Sequence, residues 1–185
     1  MLGLTELSDL LVKNLVNMLT VKQRVQIFNF IRDIPYNLSN SIDDSSCESK
    51  TKILGELLAK TGLECRVAQC FFRWENMPLP KKLFKKLISQ TDKHTFLRVF
   101  IPERKIWVSV DPTWDQQLKN IFPISHWDGL TNTILAVTTK KFWEIKNQSG
   151  KFTNPFELSF GSFDKHNKFI SGFNIWLEKI RSKNI

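Results

Sequence analysis

The chain has too few cysteines, and too scattered, to be held by disulfides or metal. Cys47, Cys65 and Cys70 cannot all pair within the chain, and no CxxC or Cys/His cluster has the spacing of a zinc site. A reducing compartment and the absence of metal or other cofactor are the expectations. Long hydrophobic runs are also missing, so no bilayer span is expected. The N-terminal stretch Met1 to Met18 is broken by Glu6, Asp9 and Lys13 and has neither a basic leader nor a small-residue cleavage site. Those absences point to a soluble, cytoplasmic protein. No RNA-binding signature, zinc finger or convincing helix-turn-helix is present, so no specific nucleic-acid partner is expected. Neither an internal repeat nor a low-complexity linker interrupts the sequence.

What is present describes one packed domain over residues 1–185. Its 185 residues are long enough to bury a core unaided, and 42% hydrophobic content with 15 phenylalanines excludes a disordered chain. The formal charge of +9 can steer anions, and an acidic ligand stays open as a partner. Lys81, Lys82, Lys85 and Lys86 cluster, while Lys140, Lys141, Lys146 and Lys151 are scattered, as on a solvated lysine-rich face.

Leu4, Leu7, Leu11, Leu15 and Met18 recur at helical spacing and predict an N-terminal amphipathic helix. Thr20 with Gln23 reads as a capping box opening a helix through Val25, Phe28 and Ile31, which must end near Pro35. A polar turn-rich stretch from Tyr36 to Asp44 leads to a third helix. Ser45 and Glu48 read as its capping box and Gly62 as its stop. Glu64 to Trp74 predicts a strand. Residues 75–92 carry a basic amphipathic piece, with Leu83, Phe84, Leu87 and Ile88 expected to pack inward. A surface membrane contact is the other reading of that piece. Thr133 to Thr138 predicts a further strand, Gln116 to Gly129 a loop with one helical turn. The stretch from Lys140 to Phe163 shows no clear pattern. Phe169, Phe173, Trp176, Leu177 and Ile180 predict a last helix, capped by Asp164.

Cys47 falls in the first turn of the third helix, where unpaired N–H groups and the macrodipole favour a thiolate. It shares a helical face with Thr51, Leu54 and Leu58, which turns the sulfur inward. Free cysteine is also a common packing residue, so the position alone leaves both roles open. His94 to Ile101, a turn at 102–105, and Ile106 to Val110 predict a hairpin that sets His94 beside Asp111 at its open end. Cysteine, imidazole and carboxylate together are what nucleophilic acyl chemistry requires.

Cys47, then Gly62-Leu-Glu-Cys-Arg66, then His94 opening a strand, then Trp107-Val-Ser-Val-Asp-Pro-Thr-Trp114, resembles the transglutaminase-like superfamily. Phe30-Ile-Arg-Asp-Ile-Pro-Tyr36 is similar to that family's lead-in helix and tyrosine, and the likeness covers residues 20–115. It implies an α+β fold with a papain-like, transglutaminase-like core, the cysteine helix packed on an antiparallel sheet, and added N- and C-terminal helices. The implied catalytic set is Cys47, His94 and Asp111, acting on a peptide or other amide carbonyl through a thioester. Tyr36, Ser46 and Trp114 are candidates for the oxyanion site or substrate contact, with the Cys47 N–H as a first oxyanion donor.

The chain departs from the crosslinking members in three ways. All six tryptophans lie downstream of the cysteine, Ser46 replaces the usual preceding glycine, and the aromatic after the histidine is displaced to Phe96. With no calcium loop and no extra β-sandwich domain, a hydrolase (amidase or peptidase) is expected rather than a crosslinking acyltransferase. The alternative is a catalytically inactive module of the same fold that holds a peptide or acidic ligand. An arylamine acetyltransferase-like enzyme is a more distant option, lacking the arginine-glycine run ahead of the cysteine. Arg66 is expected to pair with a carboxylate. Cys65 and Cys70 should face opposite sides of their strand. His126 with Asp128 reads as loop decoration, and His166 as a surface residue.

Overall fold

A computed structural model describes residues 20–39, 44–158 and 167–183. The expected N-terminal amphipathic helix, the Asp164 cap and His166 lie outside these residues. Thr20 and Gln23 form the reciprocal cap: Gln23 N–H donates to Thr20 Oγ1 at 3.3 Å and Thr20 N–H to Gln23 Oε1 at 2.9 Å. Helix α1, Val21–Asp33, starts there and stops as Ile34 turns extended ahead of Pro35. It buries Phe28 and Ile31 together with the Arg24 guanidinium. Arg24 grips Glu103 with both terminal nitrogens, at 3.1 and 2.7 Å, and so ties α1 to a distant hairpin turn.

Helix α2, Cys47–Ala59, begins differently from the sequence expectation. Ser45 does not cap it, because its hydroxyl donates to Pro35 O at 2.6 Å. Ser46 takes the N-cap position without a side-chain cap bond. The Asp44 carboxylate instead accepts from Ser46 N–H at 3.3 Å, Ser46 Oγ at 2.6 Å and Ser49 Oγ. A carboxylate takes several donors at once and suits the positive end of a helix, so it outcompetes a serine hydroxyl there. At the other end Gly62 has φ +89°, and Leu63 N–H closes back on Leu58 O at 3.3 Å. Glycine is the residue for that left-handed stop.

The sheet is antiparallel, four-stranded and ordered β3-β2-β1-β4, with β1 Cys65–Arg73, β2 Thr91–Ile101, β3 Ile106–Val110 and β4 Trp143–Glu144. With α3, Lys81–Phe84, and α4, Asn167–Arg181, the fold is α+β. The hairpin turns where expected. Gln116–Leu118 forms the one helical turn of its loop, as a 3-10 helix. Thr133 to Thr138 is not a strand. Thr133 N–H reaches Ser109 O at 2.9 Å, but Ala136 N–H then bonds the Asp111 carboxylate at 2.7 Å, which draws the chain off the ladder. The basic piece also differs. Its helix ends at Phe84, so the periodicity that would turn Ile88 inward is lost, and Ile88 is 69% exposed; Leu83 is buried and Phe84 and Leu87 are partly so.

Side-chain alternation splits the core across the sheet. On one face Leu97, Val99, Val108 and Val110 pack with Phe28 and Ile31 of α1 and with Leu54 and Leu58 of α2. On the other, Cys70, Phe72 and Phe96 pack with Phe169, Phe173 and Leu177 of α4. Cys65 belongs to the first cluster and Cys70 to the second, as their odd separation requires. Arg66 pairs with Glu144 and Glu64, each at 3.0 Å, and lies between the rings of Trp107 and Phe152. No helix among the described residues is long and apolar enough to cross a membrane.

Candidate active site

His94 and Asp111 meet because of strand register. The last pair of the hairpin ladder is Leu97 with Val110, so Asp111 falls opposite Phe96. His94 is two residues from Phe96 and shares its face, which makes Asp111 its diagonal neighbour. The imidazole Nε2 bonds Asp111 Oδ2 at 2.7 Å, with both side chains buried. Thr113 N–H and Oγ donate to Asp111 Oδ1 at 3.1 and 2.6 Å, and Ala136 N–H donates to Oδ2 at 2.7 Å. Every lone-pair direction of the carboxylate is therefore engaged, which fixes its orientation.

Cys47, half-buried at the first position of α2, reaches the same imidazole. The Cys47 side chain acts on the His94 ring to favour its protonated form, and with Nε2 taken by Asp111 the ring nitrogen left free for the sulfur is Nδ1. Two ties hold α2 against the hairpin. Thr51 Oγ1 donates to Thr95 O at 3.1 Å, next to His94, and Lys50 Nζ donates to Thr113 O at 2.9 Å, just beyond Asp111. Lys50 Nζ also donates to Arg32 O at 2.8 Å, so one fully buried ammonium joins α1, α2 and the aspartate loop.

Burial disfavours the His94 imidazolium, but the Asp111 charge, the Asp111 hydrogen bond and the contact with Cys47 outweigh it, leaving the pKa well above the usual histidine value. Burial works against ionisation of Asp111 as well. His94, Thr113 and Ala136 overcome it and hold its carboxyl below the ordinary carboxylate range. Burial brings Lys50 down to about 7, against the pull of Asp115.

Cys47 and His94 open into a cavity of about 360 Å³, lined also by Tyr36, Trp114 and Gln69. The Tyr36 phenol is pushed well above its usual pKa, first by burial and then by Cys47 and nearby carboxylates, so it stays a proton donor. Its backbone is clamped: Asp115 Oδ2 accepts Tyr36 N–H at 2.9 Å, and Arg181 donates to Tyr36 O at 2.9 Å and to Asp115 at 2.8 Å. Trp114 contributes a wall of the cavity, but its indole N–H is committed to Ala136 O at 3.0 Å. Ser46 is buried with its hydroxyl on Asp44 and lines no part of the cavity. The structure thus gathers Cys47, His94, Asp111, Tyr36 and Trp114 and leaves Ser46 as a support of the helix start.

Gln69 is the site residue that sequence patterning misses. Its amide donates to Thr95 Oγ1 at 3.2 Å while it also lines the cavity. Strand alternation placed its side chain opposite Thr95, yet nothing in the sequence pairs it with Cys47. His126 is exposed, and Asp128 serves its own loop by accepting from Leu130 and Thr131. No family model matches the chain, and no curated protein or solved structure matches it.

Proposed function

We propose that the protein is a cysteine-dependent acyl-transfer enzyme of the transglutaminase-like class, with a papain-like arrangement of its core, acting as an amidase or peptidase. The observation that carries this reading is a helix-start thiol and a buried imidazole lining one cavity, the imidazole held by a buried carboxylate through Nε2. His94 takes the thiol proton, and the thiolate attacks the carbonyl carbon of a bound amide. As the tetrahedral adduct collapses, the C–N bond breaks and the imidazolium returns the proton to the departing amine. A thioester on Cys47 remains. Water, deprotonated by His94, then attacks it, releasing the acid and the thiol. Asp111 holds the ring's orientation and offsets its positive charge.

The developing oxyanion needs donors. The Cys47 N–H, at the first helical position, has no acceptor within its helix. The Tyr36 phenol and the Gln69 amide, both lining the cavity, are the side chains for the second place.

Intact-mass spectrometry after mixing with a panel of peptide amides and activated esters tests the reading. An adduct of one acyl group, lost in Cys47→Ala and slowed in His94→Ala, is the expected result. A chain that is never acylated, yet binds a peptide or acidic ligand equally well as Cys47→Ala, would establish the binding module instead.

A further inference from the structure

The cavity beside Cys47 is much larger than the chemistry needs, and its lining is both polar and apolar. His94, Gln69 and Thr113 are polar members of its lining, while Phe72, Trp74, Met77, Leu87, Phe169 and Ile170 give it a broad apolar wall. Phe72 and Phe169 each pack edge-on against Trp74, at 4.9 and 5.0 Å between ring centres, so three rings form one connected aromatic wall. At about 360 Å³ the space falls within the range of sites that enclose a small ligand. Charged residues at this cavity are Glu48, Asp92 and Lys93, and the apolar wall itself carries no charge. An ionised group would lose its hydration there without compensation.

Resting on the acyl-transfer reading above, we infer that the apolar side of this cavity is an acyl-group pocket selecting substrates with an aromatic ring next to the scissile carbonyl. Part of the wall comes from stretches that carry none of the reactive residues. Met77 and Leu87 belong to residues 75–92, and Phe169 and Ile170 to α4. The two are seated on each other at Gly172, where an added Cβ would lie 2.8 Å from Leu83 Cδ2. That segment therefore has a job: its apolar side closes the pocket while Lys81, Lys82, Lys85 and Lys86 remain in water.

A matched pair of chloroacetamides tests this on the intact chain, one with an N-methyl group and one with an N-naphthylmethyl group. Each reacts by displacement, the sulfur bonding to carbon as chloride leaves. Rates of alkylation at Cys47, read by peptide mapping, are divided by the rates of the same reagents with free glutathione. The naphthyl reagent is expected to be favoured at least about tenfold, the return on burying one aromatic group. Leu87→Trp and Ile170→Trp, two partly exposed positions on separate walls, should each bring that ratio close to one by filling the space. The ratio is taken within each variant, so a general change in the thiol cancels. A reactive Cys47 with a ratio near one in the wild-type chain overturns the pocket and leaves the acyl-transfer reading standing. A Cys47 no faster than glutathione with either reagent overturns both.

Discussion

At the scale of single residues, Asp111 illustrates how much a site depends on one fully used carboxylate. Its two oxygens accept four hydrogen bonds, from His94, Ala136 and twice from Thr113. In Asp111→Asn, whichever way the amide turns, its NH₂ faces a buried backbone N–H, from Ala136 or from Thr113, that can only donate. We expect a loss of about 3–5 kcal/mol in urea unfolding, and acylation slowed about 10²–10⁴-fold in stopped-flow assays. Lys50 makes a pH prediction of definite sign. Unfolded, it holds its proton to the ordinary 10.5; folded, it releases it near 7. Between those values the unfolded chain binds more protons, so this group makes stability rise with pH, by up to about 1.4 kcal/mol per unit. His94, with a raised folded pKa, acts in the opposite sense as pH climbs above its ordinary value. Subtracting the stability of Lys50→Met removes the His94 contribution common to both proteins. The difference should therefore grow from pH 7 towards pH 10.

At the scale of elements, legibility followed the range of the interaction. The hairpin could be read because β-rich runs flank a short turn, and pairing His94 with Asp111 needs only that turn. The Thr20–Gln23 cap and the Gly62 stop are equally local. Failures came where more distant groups took over, Pro35 O holding Ser45 and the Asp111 carboxylate pulling Ala136 out of an expected strand, and once locally, where Asp44 took the Ser46 hydroxyl. Nor does spacing reveal that Lys50 spans α1, α2 and the aspartate loop. Gly55, inside α2, shows a further tertiary demand. A methyl there would sit 2.4 Å from Pro155 Cγ and 2.8 Å from Leu97 Cδ2. Gly55→Ala improves helix propensity by about 1 kcal/mol in isolation. It should still lower the denaturation midpoint, by about 1–3 kcal/mol, because α2 must back away from the sheet.

For the whole molecule, the sheet is shared by two cores, and the candidate site joins them. Helix α2 brings Cys47 from the first core, while His94 stacks on Phe96 of the second. Trp127 reports on the first core, and Trp74 and Trp114 on the second. Fluorescence of variants keeping Trp127 alone or Trp74 alone should therefore give urea midpoints that coincide with each other and with far-UV circular dichroism. Separate transitions would mean that the two sides fold independently. Domain-level charge has a lesser role: the +9 is carried largely by exposed lysines away from the reactive groups. Its expected effect is on encounter with anionic substrates and should fade with added salt.

The most direct measurement is the rate of iodoacetamide alkylation at each of Cys47, Cys65 and Cys70, followed by peptide mapping from pH 5 to 8, in the wild-type chain and in His94→Ala. If His94 draws the proton from Cys47, alkylation at Cys47 should outpace that at the two buried cysteines across the range and fall by about tenfold or more in His94→Ala. Slow alkylation of all three cysteines, unchanged when the imidazole is removed, would contradict the account.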